Sequence, residues 1–324
     1  MWTSVDLNPH HNEISPATAL FSSSAHEDLI VGRRWALAMM QYRQLGNTGF
    51  KVSVFGVGSE YLKKLSTEQV RQIVSYALTE GVNYFDLVWS FPAMLQGFKQ
   101  ALDEHHEEAY LAFHLGSCIQ NGRYKRSRDP QECEKQLHKC LSQLGVDHAP
   151  ILNIHYIPNL KVWKEINKKG ILGLATRLKD EGTAKVISAS IHDPEVVELA
   201  AATGAIDAIM CQVNLANHKN PKRNEALLRC RERGVGVVAM KPFAGGTLLK
   251  SGREVKIPAY KSGWKSMMTK VSESSTPSRL LNYVLNQPAV CTALTGVMSV
   301  EELRENISFL TSSPEARDYK MLLE

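Results

Sequence analysis

The sequence predicts a (β/α)₈ barrel, and three observations carry that prediction. Eight short apolar runs alternate with stretches of helical periodicity from residue 54 onward. A tight-turn signature stands just before the first run, and no G-x-G-x-x-G follows it. Apolar strands separated by helices form parallel β-α-β units whose strands are covered on both faces. The missing glycine fingerprint removes the main argument for an open dinucleotide-binding sheet and leaves the closed TIM barrel.

The turn signature is Gly46-Asn47-Thr48-Gly49, flanked by Tyr42–Leu45 and Lys51–Val54. Asn and Gly tolerate the positive φ of tight turns, so these residues form an N-terminal β-hairpin placed to close the barrel bottom. The eight strands are expected at Val54–Gly58, Val82–Leu87, Ala109–Phe113, Ile151–His155, Val186–Ser190, Ala208–Val213, Val235–Met240 and Val290–Leu294. Helices are expected near Thr67–Thr79, Ala93–Asp103, Pro130–Gln143, Lys161–Leu178, Pro194–Ala202, Arg223–Arg233, Pro277–Asn286 and Val300–Phe309. Ser66, Asp129, Asp193 and Ser299 precede four of them as capping residues, and Pro130 and Pro194 suit a first turn. The glycine-rich stretch between Met240 and Pro277, with Trp264, is long enough to cross the active face.

Residues 1–40 lack sustained periodicity and read as a loosely structured extension ending in a short helix near Asp28–Met39; residues 41–324 form one barrel domain. With 44% hydrophobic and 22% charged residues, the 324-residue chain is ordinary for a folded protein, and its formal charge of +5 implies little. Arg123, Lys125, Arg126 and Arg128 read as an exposed loop of solvated charges; no nucleic-acid-binding motif accompanies them. The six cysteines are scattered without a C-x-x-C pair, which argues against a thiolate metal site or a disulfide framework. Neither a membrane span nor a signal peptide is apparent, and a cytoplasmic setting is expected.

Chemistry on a barrel gathers at the carboxyl ends of the strands. There the sequence places Asp86, His114, His155, Ser190, His192, Gln212, Asn214 and Lys241, a polar ring in segments otherwise read as buried. Buried polar groups must be satisfied or used. Asp86, His114 and His155 suit a proton relay, since an imidazole exchanges protons near neutral pH and a carboxylate supports its charged form. The same side chains are chemically competent for a divalent ion, but no metal is assigned. Lys241 suits a carboxylate, a phosphate or a plain salt bridge.

Four segments together resemble the aldo-keto reductase family: Tyr42-Arg43-Gln44-Leu45-Gly46, Gly81 to Asp86, Gly234 to Pro242, and Gly296 to Asn306. Their order and spacing across roughly residues 41–310 make the likeness specific, closest to the branch related to ferredoxin-tailed members, without that cysteine-rich tail. The resemblance implies a nicotinamide cofactor and an Asp-Tyr-Lys-His catalytic set at Asp86, Phe91, His114 and His155. Phe91 has no proton to donate and His114 replaces the lysine, so the usual tyrosine reaction is not carried over.

By the same resemblance, Ser190 and Gln212 meet the nicotinamide carboxamide and Glu305 and Asn306 the adenine. Met240 stands where an aromatic would stack, and Gly296 and Glu302 stand where basic residues would hold a 2′-phosphate. Glu302 repels that phosphate, which favours NAD over NADP, with an altered or empty cofactor cleft as the alternative. The leading expectation is an atypical nicotinamide-dependent oxidoreductase acting on a small-molecule carbonyl or alcohol, with histidine replacing the tyrosine and lysine. A redox-neutral lyase, isomerase or hydrolase using the same Asp/His site, and a non-catalytic ligand-binding or scaffold pseudoenzyme, are the two alternatives.

Overall fold

A computed structural model describes residues 39–105, 109–250, 254–256, 268–270, 272 and 274–323. All but the last two residues of the expected extension, and Trp264 in the long crossing, lie outside the described residues. In chain order the strands are β1 (Tyr42–Gln44), β2 (Lys51–Ser53), β3 (Phe55–Gly58), β4 (Tyr84–Leu87), β5 (Tyr110–Leu115), β6 (Ser117–Gln120), β7 (Arg123–Arg126), β8 (Ala149–Ile157), β9 (Ala184–Ile191), β10 (Ala208–Gln212), β11 (Gly236–Met240), β12 (Glu254–Lys256), β13 (Met268–Lys270) and β14 (Val290–Gly296). Eight of them pair in parallel and close on themselves in the order β3-β4-β5-β8-β9-β10-β11-β14, the expected barrel. The remaining six form three antiparallel hairpins.

Helices α1 (Thr67–Thr79), α2 (Pro92–Glu104), α3 (Pro130–Leu144), α4 (Leu160–Lys168), α5 (Ile171–Asp180), α6 (Pro194–Ala201), α7 (Pro221–Glu232), α8 (Pro277–Leu285), α9 (Val300–Ile307) and α10 (Pro314–Arg317) accompany the strands. Their starts follow local chemistry: the Ser66 and Gln69 side chains satisfy each other's backbone N–H in a capping box, and Asp129, Asp193 and Ser299 accept from first-turn N–H groups. The single helix expected over 161–178 is two. Gly170, at φ +76°, takes the left-handed conformation that ends α4 and redirects the chain into α5.

The β1–β2 hairpin plugs the barrel floor. Leu45 and Val52 are fully buried in the cluster that fills the barrel interior, and the Phe50 ring stacks on Tyr110 at 4.5 Å. Gly46 has φ +55°, and a Cβ there would lie 2.4 Å from Gly234 O and Gly236 N, so only glycine lets the turn press onto the floor. Arg43 clasps the closure by donating to Leu285 O at 2.6 Å and Val290 O at 2.9 Å. With the floor sealed, the opposite end carries the open cavity. Among the described residues no helix is long and apolar enough to cross a membrane.

Candidate active site

Three adjacent strands deliver the first residues of the site. Asp86 on β4, His114 on β5 and His155 on β8 are all buried at the carboxyl ends of their strands. His114 Nε2 lies 2.6 Å from Asp86 Oδ1, and His114 Nδ1 lies 2.8 Å from His155 Nδ1. His155 Nε2 is 2.8 Å from the hydroxyl of Tyr124, which ends the chain of contacts. The ionised carboxylate of Asp86 can only accept, so His114 Nε2 carries the proton between them. His114 Nδ1 then accepts from His155 Nδ1–H, and His155 Nε2 accepts from Tyr124 O–H. Every ring nitrogen is engaged in this arrangement. The Asn153 amide, 3.1 Å from His114 Nε2, fits it with the oxygen facing that N–H, the isosteric flip of the side chain.

Burial, then the neighbouring His114, Arg128, Arg126 and His192, hold His155 well below its ordinary pKa and keep it neutral. Burial also pushes His192 down to about 3, helped by Lys241 and Arg126. The backbone around His155 is not a regular strand. The β8–β9 register shifts between Ile154 and Ile157, and Tyr156 has φ +50°. A left-handed non-glycine residue costs roughly 1–2 kcal/mol. Its neighbours hold it there: Arg128 donates to Tyr156 O at 2.7 Å, the Arg126 guanidinium covers the Tyr156 ring at 3.8 Å, and the His192 ring lies 4.8 Å from it.

The basic cluster is a strand and not the expected loop, while Arg123, Lys125 and Arg126 are exposed, as expected of solvated charges. Arg123–Arg126 is strand β7, paired with β6 through a turn whose Asn121 and Gly122 have φ +50° and +72°. Positive φ at both central residues is the hairpin geometry that Asn-Gly favours. Alternation along β7 puts Tyr124 and Arg126 on one face, and both line the cavity. Arg128 departs from that expectation, because it is half-buried and donates to Tyr156 O.

One cavity of about 580 Å³ runs from Asp86, His114, Tyr124 and His155 across the barrel mouth to Glu305 and Asn306 on α9. Ser190, His192, Met240, Lys241, Gly296 and Glu302 line it as well. Phe91, Gln212 and Asn214 do not. Phe91 holds the N-cap position of α2 and packs on the core, with the Trp89 ring 6.4 Å from it and 4.6 Å from Tyr124. The Gln212 amide nitrogen lies 3.3 Å from His192 Nδ1. Asn214 donates to Lys241 O at 3.1 Å, tying the turn after β10 to the residue whose φ is +57°.

The lining suits an extended nicotinamide dinucleotide. A hydroxyl at Ser190 and a thioether at Met240 share the cavity with the imidazole pair, and the polar side chains of Glu305 and Asn306 line its α9 side. At Gly296 a Cβ would come within 2.5 Å of the Tyr61 ring, so the absent side chain lets that ring pack against the backbone at the cavity wall. The Glu302 carboxylate accepts from Met298 N at 2.8 Å, where the N-terminus of α9 favours negative charge.

The sequence matches the profile of the aldo/keto reductase family over residues 54–322. This chain belongs to that family. Aldo/keto reductases are typically NAD(P)-dependent oxidoreductases, and the relatives agree in kind. An uncharacterized oxidoreductase of Bacillus subtilis, YqkF, is 25% identical over 287 residues, covering 83% of this chain and 90% of that protein. L-galactose dehydrogenase of Arabidopsis thaliana is 25% identical over 295 residues, covering 85% and 89%. The solved holo form of an aldo-keto reductase from Bacillus halodurans superposes with a TM-score of 0.67 at 21% identity, over 88% of this chain and all of that one. That last likeness concerns the fold. In this aldo/keto reductase the sequence alone gives Tyr124 and Asn153 no place in the site and Arg126 one only among solvated charges. The Asn121-Gly122 dipeptide between Ile119 and Tyr124 is the signal that locates the hairpin of Tyr124 and Arg126.

Proposed function

We propose that this protein is a nicotinamide-dependent oxidoreductase acting on a carbonyl or alcohol, in which an Asp–His–His set manages the proton that tyrosine and lysine manage elsewhere in the family. The observation that carries this reading is the continuous run of short contacts from Asp86 through His114 to His155 inside the cavity. Bound nicotinamide supplies or removes the hydride. The protein's own task is the proton on the substrate oxygen. A neutral His155 beside His114 passes a proton without holding charge, and the Asp86 carboxylate balances an imidazolium on His114. Ser190, Met240, Gly296, Glu305 and Asn306 would hold the dinucleotide. Glu302 disfavours a 2′-phosphate beside it, so NAD is preferred to NADP.

The test is binding and turnover with single substitutions. Wild-type protein binds NADH, measured by calorimetry, and reduces an aldehyde probe such as 4-nitrobenzaldehyde. His114→Gln and His155→Gln lower kcat by about 10²- to 10⁴-fold, the range of general acid–base catalysis, with NADH affinity little changed. Full rates in both variants, or turnover that needs no nicotinamide, contradict the proposal.

A further inference from the structure

We infer that Tyr124, carried on the β6–β7 hairpin, is the catalytic acid and base that touches the substrate oxygen, with the two histidines behind it. This rests on the oxidoreductase reading above. Both nitrogens of His114 and both of His155 are already occupied within the chain, so neither ring has an atom left for a ligand. The Tyr124 hydroxyl has one. It accepts and donates, its ring edge is held by Trp89, and it lines the cavity. Phe91, the position that family resemblance assigns to the proton donor, lies outside that lining.

The chain has two polarities that differ by one proton. With His114 neutral, hydrogens point inward: Tyr124 O–H to His155 Nε2, His155 Nδ1–H to His114 Nδ1, and His114 Nε2–H to Asp86. With His114 as imidazolium they point outward: His114 Nδ1–H to His155 Nδ1, His155 Nε2–H to the Tyr124 oxygen, and Tyr124 O–H into the cavity. Conversion of the second state to the first moves each proton one place and delivers one to the substrate oxygen. As hydride reaches the carbonyl carbon from reduced nicotinamide, the C=O π bond breaks and C–H and O–H bonds form. His114 loses its charge. Alcohol oxidation runs the same shifts backwards.

Two measurements on Tyr124→Phe test the assignment. In ¹⁵N NMR of protein labelled in histidine, loss of the hydroxyl moves the His155 Nε2 signal downfield by several ppm and leaves His138, on the outer face of α3, unmoved. With NADH and 4-nitrobenzaldehyde, kcat falls at least 100-fold while NADH affinity and KM stay within about threefold. An unshifted His155 signal, or a rate within threefold of wild type, overturns the role of Tyr124 and leaves the oxidoreductase reading standing. Wild-type protein that binds neither NADH nor NADPH overturns both. Where the aldehyde is a poor substrate for the wild type, the ring signals alone decide. A folded variant is verified by an unchanged thermal midpoint.

Discussion

His192 shows at the scale of one residue how burial writes a pH dependence. Its folded pKa is pushed down to about 3 from an ordinary 6.5 by desolvation, with Lys241 and Arg126 adding repulsion. The unfolded chain therefore binds a proton below pH 6.5 that the folded chain refuses. Stability is full above that pH and falls as the pH drops toward 3, by about 1.4 kcal/mol per unit. His155 is depressed in the same direction. A His192→Asn variant should lose roughly 2 kcal/mol less than wild type between pH 6.5 and 5, read from urea denaturation midpoints. Identical slopes would show that His192 does not titrate between the two states. Asp86, His114 and His155 were legible as a set because polar residues closing apolar runs stand out against them. Their mutual contacts were not, since three strands spread over some 70 residues must first be brought side by side.

Helices and hairpins set what the strand-end residues can meet. At the start of α9, Ser299 accepts from Glu302 N and the Glu302 carboxylate accepts from Met298 N, so one acidic side chain both steadies the helix and faces the cavity. Glu302→Arg reverses the charge at that wall. It should raise the affinity for NADPH relative to NADH by about tenfold, corresponding to ~1.4 kcal/mol, in parallel calorimetric titrations. An unchanged ratio would remove Glu302 from cofactor choice. The capped helices were readable from Ser, Asp and Pro placement. The break at Gly170 was missed because apolar periodicity continues on both sides of it. The β6–β7 hairpin was missed for a different reason. Four cations within six residues look like a solvent face, and only pairing to β6 reveals that Tyr124 and Arg126 share the side that lines the cavity.

For the molecule as a whole, barrel closure depends on residues from its two ends. Strand β3 pairs with β14, setting Phe55 beside Ala293, and Arg43 reaches the carbonyls of Leu285 and Val290. Replacing Arg43 with Met leaves two carbonyls short of a charged donor that each bond engages at about 1.5–3 kcal/mol. A loss of about 3 kcal/mol is expected, seen as a lower urea midpoint with the far-ultraviolet spectrum of the folded state unchanged. A midpoint equal to wild type would make the clasp incidental. The floor was the most legible part of the architecture, because an Asn- and Gly-bearing turn before the first strand has few other uses. The same floor ties folding to chain order. Leu45, Phe50 and Val52 leave the ribosome about 180 residues ahead of Gly234 and Gly236 and about 240 ahead of Val290. A growing chain carries that apolar plug uncovered until β11 and β14 emerge, which makes the waiting hairpin a segment that a chaperone would shelter.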